Sequence, residues 1–270
     1  MSLGAGLACA DTVTLSPTKD NTLISDDGGS SNGMGFGIFC GRTQQRINLT
    51  LRGLLHFDAA ASIPAGSTIT SVSLHLQATM GAPNSGLQPA SVHAVLANWG
   101  EGTSVGFGGS GAKSTVGDAT WLHTYFSDQF WTNPGGDFDP AVLAVQQVDW
   151  TGGPIVWGTT PALVASVQSW ITSPATNFGW LLRGAEDQPA TARQFASREY
   201  EENPAYRPTL VIEFTPPSPD CAADWNNSGT LDSQDFFDFI TAFFSDAADF
   251  NDDGTTNSQD FFDFIAAFFA

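Results

Sequence analysis

Ile69-Thr70-Ser71-Val72-Ser73-Leu74-His75-Leu76 alternates apolar and polar residues over eight positions. This alternation is typical of a β-strand with one buried and one solvent-facing side. The segment 47–52 repeats it, and turn-forming stretches such as 27–33 separate the candidates. Further short strands are predicted at 92–96, 180–183, 193–198 and 209–214. Many short strands with frequent turns predict a mainly β fold, an antiparallel β-sandwich or jelly roll.

One segment of this region has a helical pattern. Its apolar residues recur at helical spacing between two prolines, Pro161 and Pro174: Leu163, Val164, Val167, Trp170 and Ile171. Proline is tolerated in the first turn of a helix and is common just beyond its end. We therefore expect one short amphipathic helix that closes one end of the sandwich, with Trp170 in the core.

Composition and charge narrow the classes of function. The chain has 28 acidic and 9 basic residues, a net charge of −19. Binding to nucleic acid requires a basic face, so this class is excluded, and an anionic membrane surface is disfavoured. No stretch approaches the roughly 18 consecutive apolar residues of a membrane-spanning helix. The 32 aromatic residues, 21 Phe, 8 Trp and 3 Tyr, favour a folded chain over a disordered one.

The first ten residues resemble the end of a secretory signal. Ala8-Cys9-Ala10 fits the small-x-small cleavage pattern, which would make Asp11 the first mature residue, and a plain flexible terminus is the alternative. Secretion to the outside of the cell or its surface is therefore predicted. If Cys9 is removed, Cys40 and Cys221 could form a disulfide or remain two free thiols.

A Pro-rich linker at 216–219 divides the chain into two segments of different amino-acid composition. Residues 220–270 contain 11 Asp, no basic residue and 11 of the 21 Phe. The predicted organisation is a signal remnant or flexible terminus at 1–10, a β domain at 11–215, the linker at 216–219 and a small α-helical tail at 220–270. We refer to the last segment as the tail.

The tail is a tandem repeat with a period of 25 residues. Each copy has oxygen-bearing side chains at positions 1, 3, 5 and 12 of a loop with Gly at position 6, as in EF-hand-type calcium loops. Calcium prefers six to eight oxygen ligands, which alternate residues of a tight loop can provide. Two calcium ions are therefore predicted. The first would be bound by Asp224, Asn226, Ser228, Thr230 and Asp235, and the second by Asp249, Asn251, Asp253, Thr255 and Asp260.

Two such loops, each followed by one helix, resemble a dockerin, and more narrowly the GC-type dockerin-like anchors of secreted bacterial proteins. The resemblance implies a cohesin-like partner or a neighbouring subunit. Dockerin contacts often involve loop positions 10 and 11, and some of the repeated Phe could form an apolar face rather than the shared core. The predicted partner-binding residues are Ser233, Gln234, Ser258, Gln259, Phe237, Phe244, Phe262 and Phe269.

The β domain resembles the DNRLRE family, a β-sandwich related to family 96 carbohydrate-binding modules. The matching segments occur in family order and include 20–24, 52–58, 63–69, 135–139, 178–182, 195–199 and 207–210. The resemblance implies a secreted, non-catalytic module that binds polysaccharide, with structural roles at cell surfaces as a further possibility.

Sugar recognition requires exposed aromatic rings and polar side chains. The candidate ligand-binding residues are Trp99, Trp121, Trp131, Trp150 and Arg198, although each Trp could instead be packed in a core. Arg198 and Glu199 are expected to face opposite sides of a strand and not to pair. Asp137 and Asp139 could bind one more calcium ion in the β domain or cap turns.

These features predict a secreted polysaccharide-binding protein attached to a surface or complex through its calcium-dependent tail. Two alternatives stay open. The protein could be a structural subunit of an extracellular fibre or surface layer, assembled head to tail through the Phe-rich tail. It could also be a polysaccharide-degrading enzyme, which is less favoured because a glycosidase needs two carboxylates about 5–10 Å apart and the sequence reveals no such pair.

Overall fold

The structure is a computed structural model that describes residues 10–44, 48–217, 223–226, 228 and 231–269. Contacts along the chain divide it between Phe214 and Thr215 into two compact units. We call residues 11–214 the β unit, and the second unit contains the tail.

Within the described residues the β unit has fifteen strands, paired antiparallel wherever a register is defined. Eleven of them form one sheet, ordered β1-β15-β6-β14-β4-β5-β13-β7-β11, with β12 also paired to β6 and β2 to β5. The mainly β prediction is confirmed. The strands are β1 (Asp11–Leu15), β2 (Lys19–Ile24), β3 (Ser30–Ser31), β4 (Gly37–Arg42), β5 (Thr50–His56), β6 (Thr68–Gly81), β7 (Gln88–Ala94), β8 (Ala112–Lys113), β9 (His123–Tyr125), β10 (Gln129–Phe130), β11 (Ala144–Val148), β12 (Gly153–Trp157), β13 (Trp180–Gly184), β14 (Arg193–Ala196) and β15 (Thr209–Thr215).

The sheet is continuous rather than split in two, because β4 pairs with both of its arms. Gly37–Cys40 pairs with β14, and Gly41–Arg42 pairs with β5. Gly41 has φ +98°, and a Cβ there would lie 2.7 Å from the Thr191 carbonyl oxygen. This corner therefore requires glycine. The result is a curled antiparallel sheet whose two arms enclose a common core.

Both faces of the central strands are buried. Leu55 of β5 and Leu182 of β13 face the main core between the arms, which also contains residues of β6 and β15. Their neighbours Leu54 and Leu181 face a second core on the opposite side of the sheet. The segment that connects β7 to β11 covers this second side.

The predicted helix is confirmed as α1 (Pro161–Thr172). Thr160 caps it, since its Oγ1 accepts a hydrogen bond of 3.1 Å from the Leu163 amide. Trp170 is buried in the main core, as predicted, and its ring centroid lies 4.7 Å from that of Trp180.

The tail contains two helices of equal length, α2 (Ser233–Phe243) and α3 (Ser258–Phe268). The rings of Phe239 and Phe264, which occupy equivalent positions in the two repeats, stack in parallel with centroids 3.9 Å apart. Trp225 and Phe250, also equivalent, pack around this pair. The repeat in the sequence is therefore a repeat in the packing.

Some predictions fall outside the described residues: the signal remnant at 1–9, the end of the linker, Cys221 and Thr230. Cys40 is described as a free and fully buried thiol, and burial raises its pKa to about 12, whereas its pairing with Cys221 involves a residue outside the described ones. Among the described residues, no helix is both long and apolar enough to cross a lipid bilayer.

Candidate functional sites

The second loop of the tail closes around its first and last carboxylates. Asp249 accepts hydrogen bonds from the amides of Asp253, at 3.0 Å, and Gly254, at 2.8 Å. Asp260, at position 12, accepts bonds from the amides of Asn251 and Asn257 and is buried. Gly254 has φ +88°, the left-handed turn expected at position 6. Backbone amides therefore hold the first and last carboxylates of this loop in place.

The first loop shares several of these hydrogen bonds at equivalent positions of its described residues. The Ser228 amide donates to Asp224 at 3.0 Å and to Asn226 at 2.9 Å, and the Asn226 amide donates to Asp235. Asp232 and Asn257, at position 9 of the two loops, cap the helices that follow. The loops differ at position 5, where the first has Ser228 and the second Asp253.

The predicted partner-binding residues form one exposed stripe on each helix. The exposed fractions of Phe237, Phe244, Phe262 and Phe269 are 59, 82, 62 and 76%. The spacing of seven residues within each pair places both rings on the same helix face. Ser233 and Ser258 begin these stripes, and Gln234 and Gln259 are also exposed. The remaining Phe side chains of the tail pack in its core.

The predicted sugar-binding tryptophans do not form an exposed platform. Trp99 and Trp131 are 0 and 5% exposed and form part of the second core. Their indole N–H groups donate to backbone carbonyls, those of Phe178 and Thr120, at 2.9 Å. The prediction that these two rings are exposed sugar-binding faces is wrong. The turn-rich segment that contains them covers the outer side of the sheet, and both rings are buried beneath it.

The other two candidates, Trp121 and Trp150, are half-buried. The Arg52 guanidinium lies 4.8 Å from the Trp121 ring centroid and covers it. The carboxylates of Asp137 and Asp139 accept hydrogen bonds from backbone amides two to five residues away. These contacts correspond to the turn-capping alternative for the two aspartates.

Arg198 and Glu199 pair directly, with Nε and Oε1 2.8 Å apart, so the expectation of opposite orientations was wrong. The reason is that β14 ends at Ala196 and both residues lie in the turn beyond it, where strand alternation no longer applies. Arg198 also forms a bidentate salt bridge with Glu101, at 2.7 and 2.6 Å. Its guanidinium is therefore engaged within the protein.

Arg198 belongs to an acidic cluster that sequence reasoning missed. Asp20, Glu101 and Glu199 each place one carboxylate oxygen within 4.8 Å of the other two, so this triad could hold a metal ion. Burial and the neighbouring Glu199 raise the pKa of Asp20 well above its usual range. Burial also raises the pKa of Glu199 to about 7. Asp20 and Glu199 are 179 positions apart in the sequence, so no sequence spacing could have shown the cluster.

A groove lies on the outer side of β4, β14 and β6. Phe39, Gln194 and Met80 face each other across these three strands. They line two adjoining cavities of about 230 and 280 Å³. Phe107, 90% exposed, and Tyr200 line the larger cavity. Phe107 lies in the Gly-rich stretch 106–111, a signal that could have marked an exposed aromatic residue.

No protein-family model matches the chain, and no curated protein is significantly similar to it.

Proposed function

We propose that the protein is a secreted, non-catalytic polysaccharide-binding protein whose tail binds two calcium ions and docks it onto a cohesin-like partner. The observation that carries the proposal is the matched geometry of the two tail loops. The equivalent carboxylates Asp224 and Asp249 accept equivalent backbone hydrogen bonds. The same holds for Asp235 and Asp260. Two independent copies of one ligand arrangement support a common ligand.

The charge of the tail also supports calcium binding. It contains 11 Asp and no basic residue, so its carboxylates have no cationic side chain within the segment. Divalent cations with a preference for oxygen ligands would remove this repulsion. Calcium at a thousand times its Kd would stabilise the folded tail by roughly 4 kcal/mol.

Native mass spectrometry of the full chain at increasing free calcium tests this step. We expect the double variant Asp224→Asn, Asp249→Asn to bind two calcium ions fewer than the wild type. The matched control is Asp252→Asn, at loop position 4, which does not supply a predicted ligand. Equal calcium counts in the wild type and the double variant would rule out the tail loops as calcium sites.

The groove supports polysaccharide as the ligand of the β unit. It combines the exposed Met80 and Phe107 and the half-buried Tyr200 with the polar side chains of Gln194 and Glu202. This mixture suits sugars, whose C–H faces pack on rings and whose hydroxyls need hydrogen-bond partners. Because the groove is open to solvent along the sheet, it could accommodate a chain rather than a single sugar.

The test is a polysaccharide panel with the full chain, the Phe107→Ala and Tyr200→Ala variants, and Phe130→Ala as control. Phe130 is also exposed, at 63%, but does not line the groove. We expect the two groove variants to weaken binding at least tenfold and the control to bind like the wild type. Sugar release assayed in the same samples would identify an enzyme instead. Uniform absence of binding across the panel would reject the polysaccharide proposal.

A second candidate function is supported by the four exposed Phe of the tail. In a structural subunit of a fibre or surface layer, these rings would insert into a neighbouring copy, and such a head-to-tail contact need not close. Light scattering of the wild type and the Phe244→Ala, Phe269→Ala variant distinguishes the two. Calcium-dependent growth in particle size that the variant lacks would favour the fibre. A particle size that stays monomeric at every concentration would favour docking to a separate partner.

A further inference from the structure

We propose that the triad of Asp20, Glu101 and Glu199 is a divalent-cation site in the β unit, separate from the tail loops. The triad joins three distant segments: β2, the connection after β7 and the turn after β14. One bound ion would tie these three segments together. This site does not depend on the tail loops binding calcium.

The first argument is an unpartnered carboxylate oxygen on the buried member of the triad, Asp20. Asp20 is 1% exposed, and its Oδ2 accepts a hydrogen bond of 2.8 Å from the Arg198 amide. Its Oδ1 has no hydrogen-bond partner, and neither does Oε2 of Glu199. A buried oxygen without a partner destabilises the fold, because it has lost its hydration without compensation. A cation between these oxygens would supply the missing partner.

The second argument is the balance of charge. Three carboxylates converge, and among the described residues only Arg198 forms salt bridges within the triad, with Glu101 and Glu199 but not with Asp20. Lys19 and Arg207 lie nearby, but Lys19 donates to Asn98 Oδ1 and the Trp99 carbonyl, and Arg207 donates to the Tyr200 carbonyl. One divalent ion would neutralise the excess negative charge.

The ligand chemistry selects the class of ion. All three groups are carboxylates, and the described residues place no His or Cys in the cluster. Hard oxygen ligands favour calcium, magnesium or manganese over zinc or copper. Glu101 uses both oxygens for Arg198, so Asp20 and Glu199 would be the principal protein ligands, with water completing the coordination.

Native mass spectrometry of the full chain, with calcium and then manganese as the probe ion, tests the site. The Glu199→Gln variant removes one ligand charge and keeps the shape of the side chain, and Asp187→Asn is the exposed control on the same unit. We expect the wild type and the control to bind one ion more than Glu199→Gln, and the affinity for that ion to fall at least tenfold. In the background of Asp224→Asn and Asp249→Asn, the same difference of one ion should remain.

Thermal unfolding provides the second readout, with Asp20→Asn beside Glu199→Gln. If the triad binds a cation, calcium raises the unfolding temperature of the β unit in the wild type, and both variants lose that increase. If the triad is only a structural network with a shared proton, the variants shift the unfolding temperature equally in calcium and in chelator. That result, or equal ion counts in the wild type and Glu199→Gln, would overturn the proposal. A wild-type count of one that falls to zero would retain this site while rejecting the tail loops.

Discussion

The β unit and the tail hold their carboxylates in opposite ways. In the β unit, Glu186 lies between Arg52, at 2.7 Å, and Arg183, at 3.1 Å, and all nine basic residues of the chain precede the tail. In the tail, carboxylates such as Asp260 are held by backbone amides instead. In the β unit, basic side chains thus pair with Glu186, Glu101 and Glu199, whereas the tail has no basic residue to pair with its carboxylates. We therefore propose that cations from solution neutralise the tail and that its folding depends on calcium.

The largest loss of unfolding free energy is expected in the β unit, from the substitution Trp99→Ala. The Trp99 ring is fully buried, donates to the Phe178 carbonyl and has Lys19 Nζ 4.2 Å from its centroid. Truncating such a ring in a core costs about 3–5 kcal/mol of unfolding free energy. Urea unfolding measures it, with the half-buried Trp150→Ala as the milder control. If the two variants lose the same free energy, Trp99 does not occupy a packed core.

Calcium removal is expected to lower the stability of the tail by a similar amount. Chelation should remove roughly 4 kcal/mol from the tail and leave the β unit folded, since its sheet does not depend on the tail loops. Circular dichroism at increasing chelator should show loss of helix without loss of strand. Simultaneous loss of both signals would contradict the separation of the two units.

A smaller effect is expected from Glu186→Gln, which tests the internal neutralisation. Burial acts to raise the pKa of Glu186, but hydrogen bonds from Arg52 and Arg183 outweigh it and hold the pKa below the ordinary value of 4.5. The ionised form is therefore favoured by folding. Its contribution is present above pH 4.5 and is lost as the pH falls through the lower folded value. The variant should lose about 1–3 kcal/mol at pH 7. Unfolding measured at decreasing pH should show the wild type approaching the variant, and a constant difference would contradict this assignment.

The smallest effect is expected within the tail, from Ser228→Asp in the first loop. This change copies Asp253 of the second loop and adds one carboxylate ligand. Calcium affinity of the first loop should rise about tenfold, equivalent to about 1.4 kcal/mol. Calorimetric titration measures it, and Asp253→Ser is the reciprocal variant that should weaken the second loop. Unchanged affinity in both variants would remove position 5 from the ligand set.

Features that depend on short stretches of sequence could be predicted. The α1 helix follows from apolar spacing between Pro161 and Pro174, and the strand at 69–76 from alternation. The two calcium loops were proposed from ligands within 12 consecutive residues, and the structure adds their hydrogen bonds. The tandem repeat predicts that some of its Phe form an apolar face, and Phe237 and Phe262 are exposed.

Features that depend on distant segments could not be predicted. Whether Trp99 is exposed depends on the strands that its connecting segment covers, and the groove requires β4, β14 and β6 to lie side by side. Arg198 and Glu199 pair only because β14 ends two residues earlier. The triad brings together residues 20, 101 and 199, whose separation along the chain carries no pattern. Local propensity and ligand spacing act within a few residues, whereas these sites are created by strand pairing, which the sequence encodes only through the whole sheet.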